Sequence, residues 1–307
     1  MTYSPMLSHP GKKDWLNKKN HIFELKLDGI RIILYKDSGI ELINKKGTPK
    51  TQQYPELQNI GKFIKPKSCV LDGEIIIYDP GTGLPSFNLL QKRNIRARLA
   101  ISHPVTYVVF DILEIEGKSL IDRPLYERKK ILHDSIIEDR LIELTVETED
   151  GKTLWKEVTK RMLEGVIAKR KDSLYHAGQR TWDWVKIKNL NTADVVIAGY
   201  TSYERNVSSL GMALYRKGKL TYVGKVGTGF SEEIIEKLKA IFSKYETSRP
   251  AVVNPPNEDM KWLKPELVAE VEYLQVTPDL QFRSSSFKGL RDDKPAKECT
   301  WEGQIKI

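Results

Sequence analysis

The chain has 307 residues and a mass of 35.3 kDa, which predicts two domains rather than one. Its mean hydropathy of −0.44 and the lack of any apolar run near the roughly 20 residues of a spanning helix exclude an integral membrane protein. The opening segment has no apolar core, so no secretory signal is expected. Two cysteines, Cys69 and Cys299, are too few for a disulfide framework or a four-cysteine zinc site. They predict two buried thiols and a reducing cytoplasm.

The net charge is +9, from 50 Lys and Arg against 41 Asp and Glu. Residues 1–190 hold 33 of these cations and 25 of the anions, whereas residues 191–307 hold 17 and 16. An anionic polymer is therefore expected to bind mainly to the first part of the chain. Charge alone does not separate this interpretation from an ordinary solvated surface.

The first part of the chain mixes strand patterns with one helical pattern. Short β-rich runs with polar or Gly/Pro boundaries predict strands over 68–79, 105–113, 165–169 and 183–188. The segment 122–134 predicts a helix, with Asp122 as candidate N-cap and basic residues after it. The polar stretch 189–194 is the candidate linker, which divides the chain into domains 1–190 and 191–307.

The second part is richer in strands. Strands are predicted over 195–201, 212–216, 220–223 and 267–277. One helix is predicted over 232–245, with Ser231 as N-cap and an apolar face made by Ile234, Ile235, Leu238 and Phe242. Several short strands and one helix fit a small β-barrel such as an OB-fold, and other small β folds fit nearly as well.

Several familiar catalytic patterns are absent from the sequence. A phosphate-binding P-loop would need a glycine where Ile112 or Val146 stands. The glycine-rich segment 224–229 lacks dinucleotide-binding spacing and predicts a tight loop between strands. No histidines have the H-x-x-x-H spacing of a zinc hydrolase, and no G-x-S-x-G motif begins a serine hydrolase site.

The most informative segment is Glu24–Arg31, ELKLDGIR, in which Lys26, Asp28, Gly29 and Arg31 form the pattern K-x-D-G-x-R. Taken alone, it also fits a charged strand edge followed by a turn. Further motifs follow in a fixed order. They are LDGEIII with Glu74, YVVFDIL with Asp111, LEGVIAKR with Glu164, and WDWVKIK with Lys186 and Lys188 on one face of a strand.

This set of motifs resembles the covalent nucleotidyltransferase superfamily of ATP-dependent DNA ligases, RNA ligases and mRNA capping enzymes. Further segments are similar to the ligase domain of bacterial ligase D end-joining enzymes. They are PSFNLL at 85–90, AKRKDS at 168–173, YVGKVGTGF at 222–230, residues 262–270 and FKGLRDDK at 287–294. The resemblance covers about Pro5 to Pro295. It implies an α+β fold, with an adenylation domain of antiparallel sheets and helices followed by an OB-fold barrel.

The resemblance implies a reaction in three steps that uses ATP and Mg²⁺ or Mn²⁺. Lys26 attacks the α-phosphate of ATP, AMP passes to a DNA 5′-phosphate, and a 3′-hydroxyl then displaces AMP. A lysine nucleophile must be neutral, which costs roughly 4–5 kcal/mol at pH 7. Neighbouring cations lower that cost, and Arg31, Lys186, Lys188 and the metal are expected to do so. Asp28 is expected to organise the Lys26 loop.

The resemblance also implies the remaining contacts to metal and nucleotide. Glu74 and Glu164 are the expected metal ligands, since Mg²⁺ prefers oxygen donors. Glu24 is expected to contact the adenine amino group and Phe110 to stack on the base. Arg31, Glu74, Lys186 and Lys188 complete the nucleotide-binding set in the first domain. In the second domain, Arg291 and Lys294 of the RDDK segment resemble the motif that orients the leaving pyrophosphate when this domain closes over ATP.

The expected substrate is nicked or broken duplex DNA. Its predicted contacts are Lys45, Lys46, Lys92, Arg93 and Lys169, with Arg96 and Arg98 continuing the basic stretch. A solvated helix face fits the stretch from Lys92 equally well, and Lys169 could contact phosphate instead of DNA. Lys45-Lys46-Gly47 departs from the arginine followed by Asn-Gly that such ligases usually carry. A lysine keeps the charge but loses the two-pronged contact that a guanidinium makes with phosphate.

The resemblance further implies a nucleoid-associated monomer that works with a Ku-like end-binding protein and a separate repair polymerase. Two alternatives stay open. An RNA ligase or an RNA-capping guanylyltransferase would use the same lysine chemistry, and a capping enzyme would prefer GTP. A non-catalytic nucleic-acid-binding module is disfavoured because Lys26, Glu74, Glu164, Lys186 and Lys188 are all present.

Overall fold

The computed structural model describes residues 3–95, 103–203 and 206–305. Contacts divide the chain into two units, Met1–Asn189 and Leu190–Ile307. The strands of the first unit are β1 (Leu7–Pro10), β2 (His21–Leu25), β3 (Ile30–Lys36), β4 (Ile40–Asn44), β5 (Cys69–Ile76), β6 (Thr106–Ile115), β7 (Lys118–Ser119), β8 (Ile142–Leu144), β9 (Glu147–Thr148), β10 (Gly165–Arg170) and β11 (Arg180–Lys188). Its α-helices are α1 (Phe87–Ile95), α2 (Leu125–Ser135) and α3 (Gly151–Lys160), and its 3₁₀ helices are Lys13–Asn17, Thr51–Gln53 and Pro55–Phe63.

These strands form two sheets. The first has the order β1-β11-β10-β2-β9 and is antiparallel except for β1 beside β11. The second has the order β4-β3-β5-β6-β7, with β8 parallel to β6. Two charged motif residues lie opposite each other on adjacent strands, Arg31 on β3 and Glu74 on β5. In the first sheet, Glu24 on β2 lies opposite Ile167 on β10.

The second sheet is covered on both faces, which explains why β5 and β6 are almost continuously apolar. One face carries Ile32 and Leu71 into the main core of the unit, where Leu132 of α2 also packs. The other face carries Ile33 and Val70 against Trp184 of the first sheet. The two sheets therefore pack against each other through a small apolar core.

The second unit contains a strongly curled antiparallel sheet. Its strands are β12 (Asn191–Tyr203), β13 (Asn206–Arg216), β14 (Lys219–Val226), β15 (Glu246–Thr247), β16 (Lys261–Leu263), β17 (Val268–Tyr273), β18 (Gln275–Val276), β19 (Phe282–Arg283) and β20 (Ser286–Leu290). Its helices are α4 (Glu232–Phe242), the 3₁₀ turn Ala296–Glu298 and α5 (Trp301–Gln304). Strand β12 pairs with β13 on one side and with β16 and β17 on the other, while β14 and β20 extend the two sides.

The outer strands of this sheet approach each other at one point. The Phe287 N–H donates to the Thr228 carbonyl over 2.8 Å, and the Thr228 hydroxyl donates to the Ser285 carbonyl over 3.0 Å. The helix α4 begins as predicted, because the Ser231 hydroxyl accepts a hydrogen bond from the Ile234 N–H. The predicted α+β class is confirmed, and the curled sheet has the form that a small barrel requires.

Several predicted boundaries are wrong. The proposed linker 189–194 is a strand from Asn191 onward, because the side chains of Asn191 and Thr192 are exposed while the backbone pairs with β17. The predicted strand 267–277 is interrupted at Leu274, between β17 and β18. The segment 224–229 is only partly a loop, since β14 runs on to Val226. Helix α2 has Pro124 at its N-cap instead of Asp122, because the residue before a proline avoids helical geometry.

Both cysteines are buried and unpaired, as predicted. Burial raises the pKa of the Cys69 thiol to about 12 and that of the Cys299 thiol to about 11. Across 3–95, 103–203 and 206–305, none of the helices combines the length and the apolar character needed to cross a bilayer.

Helix α2 is fixed to β6 by a fully buried ion pair. The Arg128 Nε and Nη2 atoms each lie 2.9 Å from an oxygen of Asp111, and neither side chain is exposed. Two backbone carbonyls, those of Arg123 and Ser173, accept hydrogen bonds from Nη1. A buried ion pair with satisfied hydrogen bonds adds little net stability, but removal of one partner leaves a buried charge without a counter-charge.

We predict that Arg128→Met lowers the free energy of unfolding by about 3–5 kcal/mol, because Asp111 would lose its counter-charge in the core. The matched control is Arg123→Met near the same helix, whose ion pair with Glu127 is solvent-exposed and is expected to cost less than about 1 kcal/mol. Chemical denaturation of the full chain measures both variants. Equal effects of the two substitutions would contradict the assignment.

Candidate active site

A cavity of about 330 Å³ lies in the first unit, where the two sheets meet. Residues from both sheets line it, so neither sheet alone forms the site. The residues that the motifs predicted and that line it are Glu24, Lys26, Arg31, Lys45, Glu74, Phe110, Lys169 and Lys186. The structure thus brings together residues that are up to 162 positions apart, between Glu24 and Lys186.

Lys26 follows the end of β2 and is held in place by β10. Its N–H donates to the Gly165 carbonyl over 2.9 Å, and its Nζ lies 2.7 Å from Glu164 Oε2. Gly165 has a φ of +151°, and a Cβ there would collide with the Ile187 carbonyl. The E-G pair of LEGVIAKR is therefore required, because the glycine lets β10 approach β11 while the glutamate reaches the lysine.

Glu74 lies beside this pair on β5. The turn at Gly29 passes so close that a Cβ there would collide with the Ile75 carbonyl and lie 2.9 Å from Glu74 Cγ. Burial raises the pKa of Glu74 to about 8, although Arg31 and Lys26 oppose the shift. Burial also raises the pKa of Glu164, and the nearby Asp28 carboxylate adds to this shift. The two predicted metal ligands are therefore close together and held in a partly dry site.

Arg31 is paired more tightly than its sequence motif indicated. Its guanidinium makes a two-pronged contact with Asp72, with Nε–Oδ1 at 2.9 Å and Nη2–Oδ2 at 2.6 Å. Tyr175 also donates to Asp72 over 2.6 Å. Because Asp72 is fully buried and neutralises it, Arg31 contributes less net positive charge next to Lys26 than the sequence analysis expected.

One end of the cavity is aromatic. The ring of Phe110 lies edge-on to that of Trp184, with centroids 6.3 Å apart. The Lys169 ammonium lies 4.4 Å from the Phe110 centroid and 4.1 Å from the Trp184 centroid. Lys169 is 2% exposed and 2.7 Å from Glu24, so its charge is enclosed by the cavity wall, and its contact with phosphate or DNA stays a prediction.

The other end of the cavity is strongly basic. Burial, together with the cations Arg180, Lys188, Lys26 and Lys45, lowers the pKa of Lys186. Lys26, Arg180 and Lys186 all line this cavity, so several cations lie close enough together to bind a polyphosphate. Lys186 lines the cavity and Lys188 is exposed two residues further along β11.

The other predicted DNA contacts differ in exposure. Lys45, Lys46 and Lys92 are exposed. Arg93 is 2% exposed and bound by both carboxylate oxygens of Glu56, at 2.7 and 2.9 Å. Its guanidinium fixes α1 to the 3₁₀ helix Pro55–Phe63, and its contact with DNA stays a prediction. Arg96 and Arg98 lie outside the described residues.

Arg291 and Lys294 lie in the second unit, where both contact Asp194. Arg291 Nη1 is 3.0 Å from Asp194 Oδ1, and Lys294 Nζ is 2.7 Å from Oδ2. Arg291 also binds Asp293, which lowers the pKa of that carboxyl to about 2. Their role in pyrophosphate orientation stays a prediction.

Sequence reasoning missed four residues that shape the site: Asp72, Lys129, Arg180 and Trp184. Strand alternation could have indicated two of them, because Asp72 is two residues before Glu74 and Trp184 is two before Lys186. No local sequence pattern indicated Lys129, because its partner Glu24 lies on β2, far from it along the chain.

The fold and the site match the models of one protein family along most of the chain. Residues 5–188 match the ATP dependent DNA ligase domain, and residues 203–294 match the ATP dependent DNA ligase C terminal region. The chain belongs to the ATP-dependent DNA ligase family.

Similar proteins agree with this assignment. The chain is 35% identical over 308 residues to the multifunctional non-homologous end joining DNA repair protein LigD of Mycobacterium tuberculosis. That match covers 97% of this chain and 40% of LigD, so the chain spans about two fifths of this relative. It is 34% identical to the SPbeta prophage-derived DNA ligase-like protein LigB of Bacillus subtilis, covering 66% of this chain and 73% of LigB. The solved ligase domain of M. tuberculosis LigD matches with a TM-score of 0.56 and 32% identity, covering 97% of this chain and 98% of that one.

We predict that Glu74→Gln stabilises the nucleotide-free protein while it impairs activity. The folded pKa of about 8 exceeds the ordinary value of 4.5, so the folded state holds its proton more tightly than the unfolded state. As the pH rises from 4.5 to about 8, the free energy of unfolding of the wild type therefore falls relative to that of Glu74→Gln. Above that range the difference between the two proteins stays constant. Melting temperatures of the two proteins across this range test the prediction.

The control is Glu41→Gln on β4, an exposed carboxylate that is expected to leave the melting curve unchanged. A Glu74→Gln variant that is no more stable than wild type at pH 8 would contradict the assigned burial cost.

Proposed function

We propose that the protein is an ATP-dependent DNA ligase that seals nicks and breaks in duplex DNA through a covalent lysyl-AMP intermediate. The observation that carries this proposal is the position of the Lys26 Nζ. It lies in the cavity, 2.7 Å from Glu164, in a site with one aromatic and one basic end. The aromatic end suits a purine and the basic end suits a triphosphate.

In the first step, the lone pair of the Lys26 Nζ attacks the α-phosphorus of ATP. A P–N bond forms, the bond to the bridging oxygen of pyrophosphate breaks, and pyrophosphate leaves with that electron pair. Glu164 Oε2 accepts the hydrogen bond from the Nζ, and its raised pKa suits it to take the proton. Lys186 and its neighbouring cations stabilise the charge on the phosphate oxygens.

In the second step, a 5′-phosphate oxygen of the DNA attacks the phosphorus of lysyl-AMP, and the P–N bond breaks to return Lys26. In the third step, the 3′-hydroxyl attacks the 5′-phosphate, and AMP leaves. We expect the exposed Lys45, which lines the cavity, and the neighbouring Lys46 to bind the incoming DNA phosphates, and Lys92 to add a further backbone contact.

Glu74 and Glu164 would hold a divalent cation. Within the described parts of the chain, no cluster of three or more His, Cys, Asp or Glu side chains could hold a metal. Two carboxylates suffice for Mg²⁺, which takes its other ligands from phosphate and water. The raised pKa of Glu74 fits this role, because a buried carboxylate without a cation favours its proton. When bound, the cation neutralises phosphate charge.

We place the reaction in double-strand break repair by end joining, because relatives such as LigD are named for that process. A Ku-like end-binding protein and a separate polymerase are the proposed partners of a nucleoid-associated monomer. We also propose that residues 1–190 carry out adenylation and that residues 191–307 form an OB-fold domain that closes over ATP. In the closed form, Arg291 and Lys294 would orient the pyrophosphate.

We predict that wild-type protein with Mg²⁺ takes a covalent label from ATP radiolabelled at the α-phosphate and seals a nicked duplex. Lys26→Ala and Lys26→Arg should lose both activities, because neither side chain offers a neutral amine at that position. The control, Lys118→Ala, changes an exposed lysine on β7 and should retain both. A label from GTP alone would indicate a capping enzyme, and labelling without sealing of DNA would indicate an RNA ligase.

We predict that Lys45→Ala lowers the rate of nick sealing by about tenfold, since one phosphate contact to a charged group is lost. Self-adenylation with ATP should change by less than about threefold, well under the loss expected for a charged contact. Joining of a pre-adenylated nick separates the two effects. Equal losses in both assays would show that Lys45 acts on ATP rather than on DNA.

A further inference from the structure

Lys129 is a buried cation that the ligase mechanism above does not use. It lies on α2, outside the lining of the cavity, and its side chain is 7% exposed. Its Nζ is 2.5 Å from Glu24 Oε1 and 2.6 Å from Glu147 Oε2. The ammonium therefore links Glu24, which lines the cavity, to Glu147 on strand β9.

The sheet register explains why a cation is needed here. Glu24 of β2 and Glu147 of β9 lie directly opposite each other in an antiparallel pair. Like charges at such positions repel, and the buried Glu24 has little water to screen it. Lys129 lies between the two carboxylates. Although burial opposes its charge, Glu24 and Glu147 raise the pKa of Lys129 and keep it an ammonium.

Glu24 is held from both sides. Lys129 binds Oε1, and Lys169 binds Oε2 at 2.7 Å. The two lysines differ, because burial lowers the pKa of Lys169 despite the opposing effect of Glu24. A carboxylate held in this way offers only hydrogen-bond acceptors. Its Oε1 is buried, so Oε2 is the oxygen that can accept from a ligand in the cavity that Glu24 lines.

A fixed acceptor distinguishes purines at position 6. Adenine carries an amino donor there, whereas guanine and hypoxanthine carry a carbonyl acceptor. A carboxylate fixed at this position accepts from the amino group and repels the carbonyl. A carboxylate free to turn away would lose this selectivity.

We infer that Lys129 is a positioning residue that sets nucleotide specificity, because it holds the Glu24 carboxylate in place as an acceptor that selects 6-amino over 6-oxo purines. This inference rests on the proposed function only in that the cavity binds a purine nucleotide. It does not require that Lys26 forms lysyl-AMP.

The test measures equilibrium binding of ATP and ITP, with Mg²⁺, to full-length protein carrying Lys26→Ala so that no covalent product forms. ITP changes only the group at position 6 and the adjacent ring proton. Protein with native Lys129 should bind ATP at least about tenfold more tightly than ITP, the order expected for a hydrogen bond to a charged group. Lys129→Met should reduce that ratio to below about threefold, chiefly by weakening ATP binding.

Lys129→Arg should preserve the ratio, because it keeps the charge between the two glutamates. Lys130→Met is the matched control, since this neighbour on α2 is exposed, and it should also preserve the ratio. If Lys129→Met folds poorly, the double variant Lys129→Met/Glu147→Gln removes the cross-strand repulsion and leaves Glu24 without its second cation. The same loss of selectivity is expected in that variant.

An unchanged ATP-to-ITP ratio in folded Lys129→Met or in the double variant would overturn the inference and leave Lys129 a purely structural residue. A native ratio near one would also overturn it. If the ratio behaves as expected but protein with intact Lys26 takes no label from ATP, the proposed ligase function fails and the role of Lys129 stands.

Discussion

The first unit depends on the pairing of charges that its two sheets enclose. Catalysis of the proposed kind needs carboxylates and cations in a partly dry site, and an unpaired ion there would cost several kcal/mol. Asp72 pairs with Arg31, Glu164 with Lys26, and Asp111 with Arg128. The fold can therefore bring charged strands together only because each buried charge has a nearby partner of opposite sign.

This pairing divides the positive charge of the cavity into two kinds. Arg31 is neutralised by a buried carboxylate and serves to fix β3 to β5 beside the rings of Phe110 and Trp184. Lys186 lies among other cations, and burial with their repulsion lowers its pKa. Arg31 therefore holds the cavity wall together, whereas Lys186 and its neighbouring cations leave an uncompensated positive potential that attracts phosphate.

Much of this arrangement could be predicted from the sequence. The strands around Glu74 and Lys186 and the helix that begins after Ser231 follow from local patterns, and the motifs predicted the charged residues that line the described cavity, apart from Arg180. What could not be predicted depends on contacts between distant segments. Arg93 and Lys169 look like surface cations in the sequence, but Glu56 and Glu24 hold them inside the unit. A boundary error at Asn191 has the same origin, because pairing with β17 outweighs the turn preference of polar residues.

Each unit contains one buried cysteine, Cys69 in the first and Cys299 in the second. Burial suppresses the thiolate of both, and the thiolate is the form that reacts with alkylating agents and oxidants. Each thiol consequently becomes reactive only when its own unit opens. The chain thus has two internal reporters of local unfolding, one for each unit, and neither requires a change to the sequence.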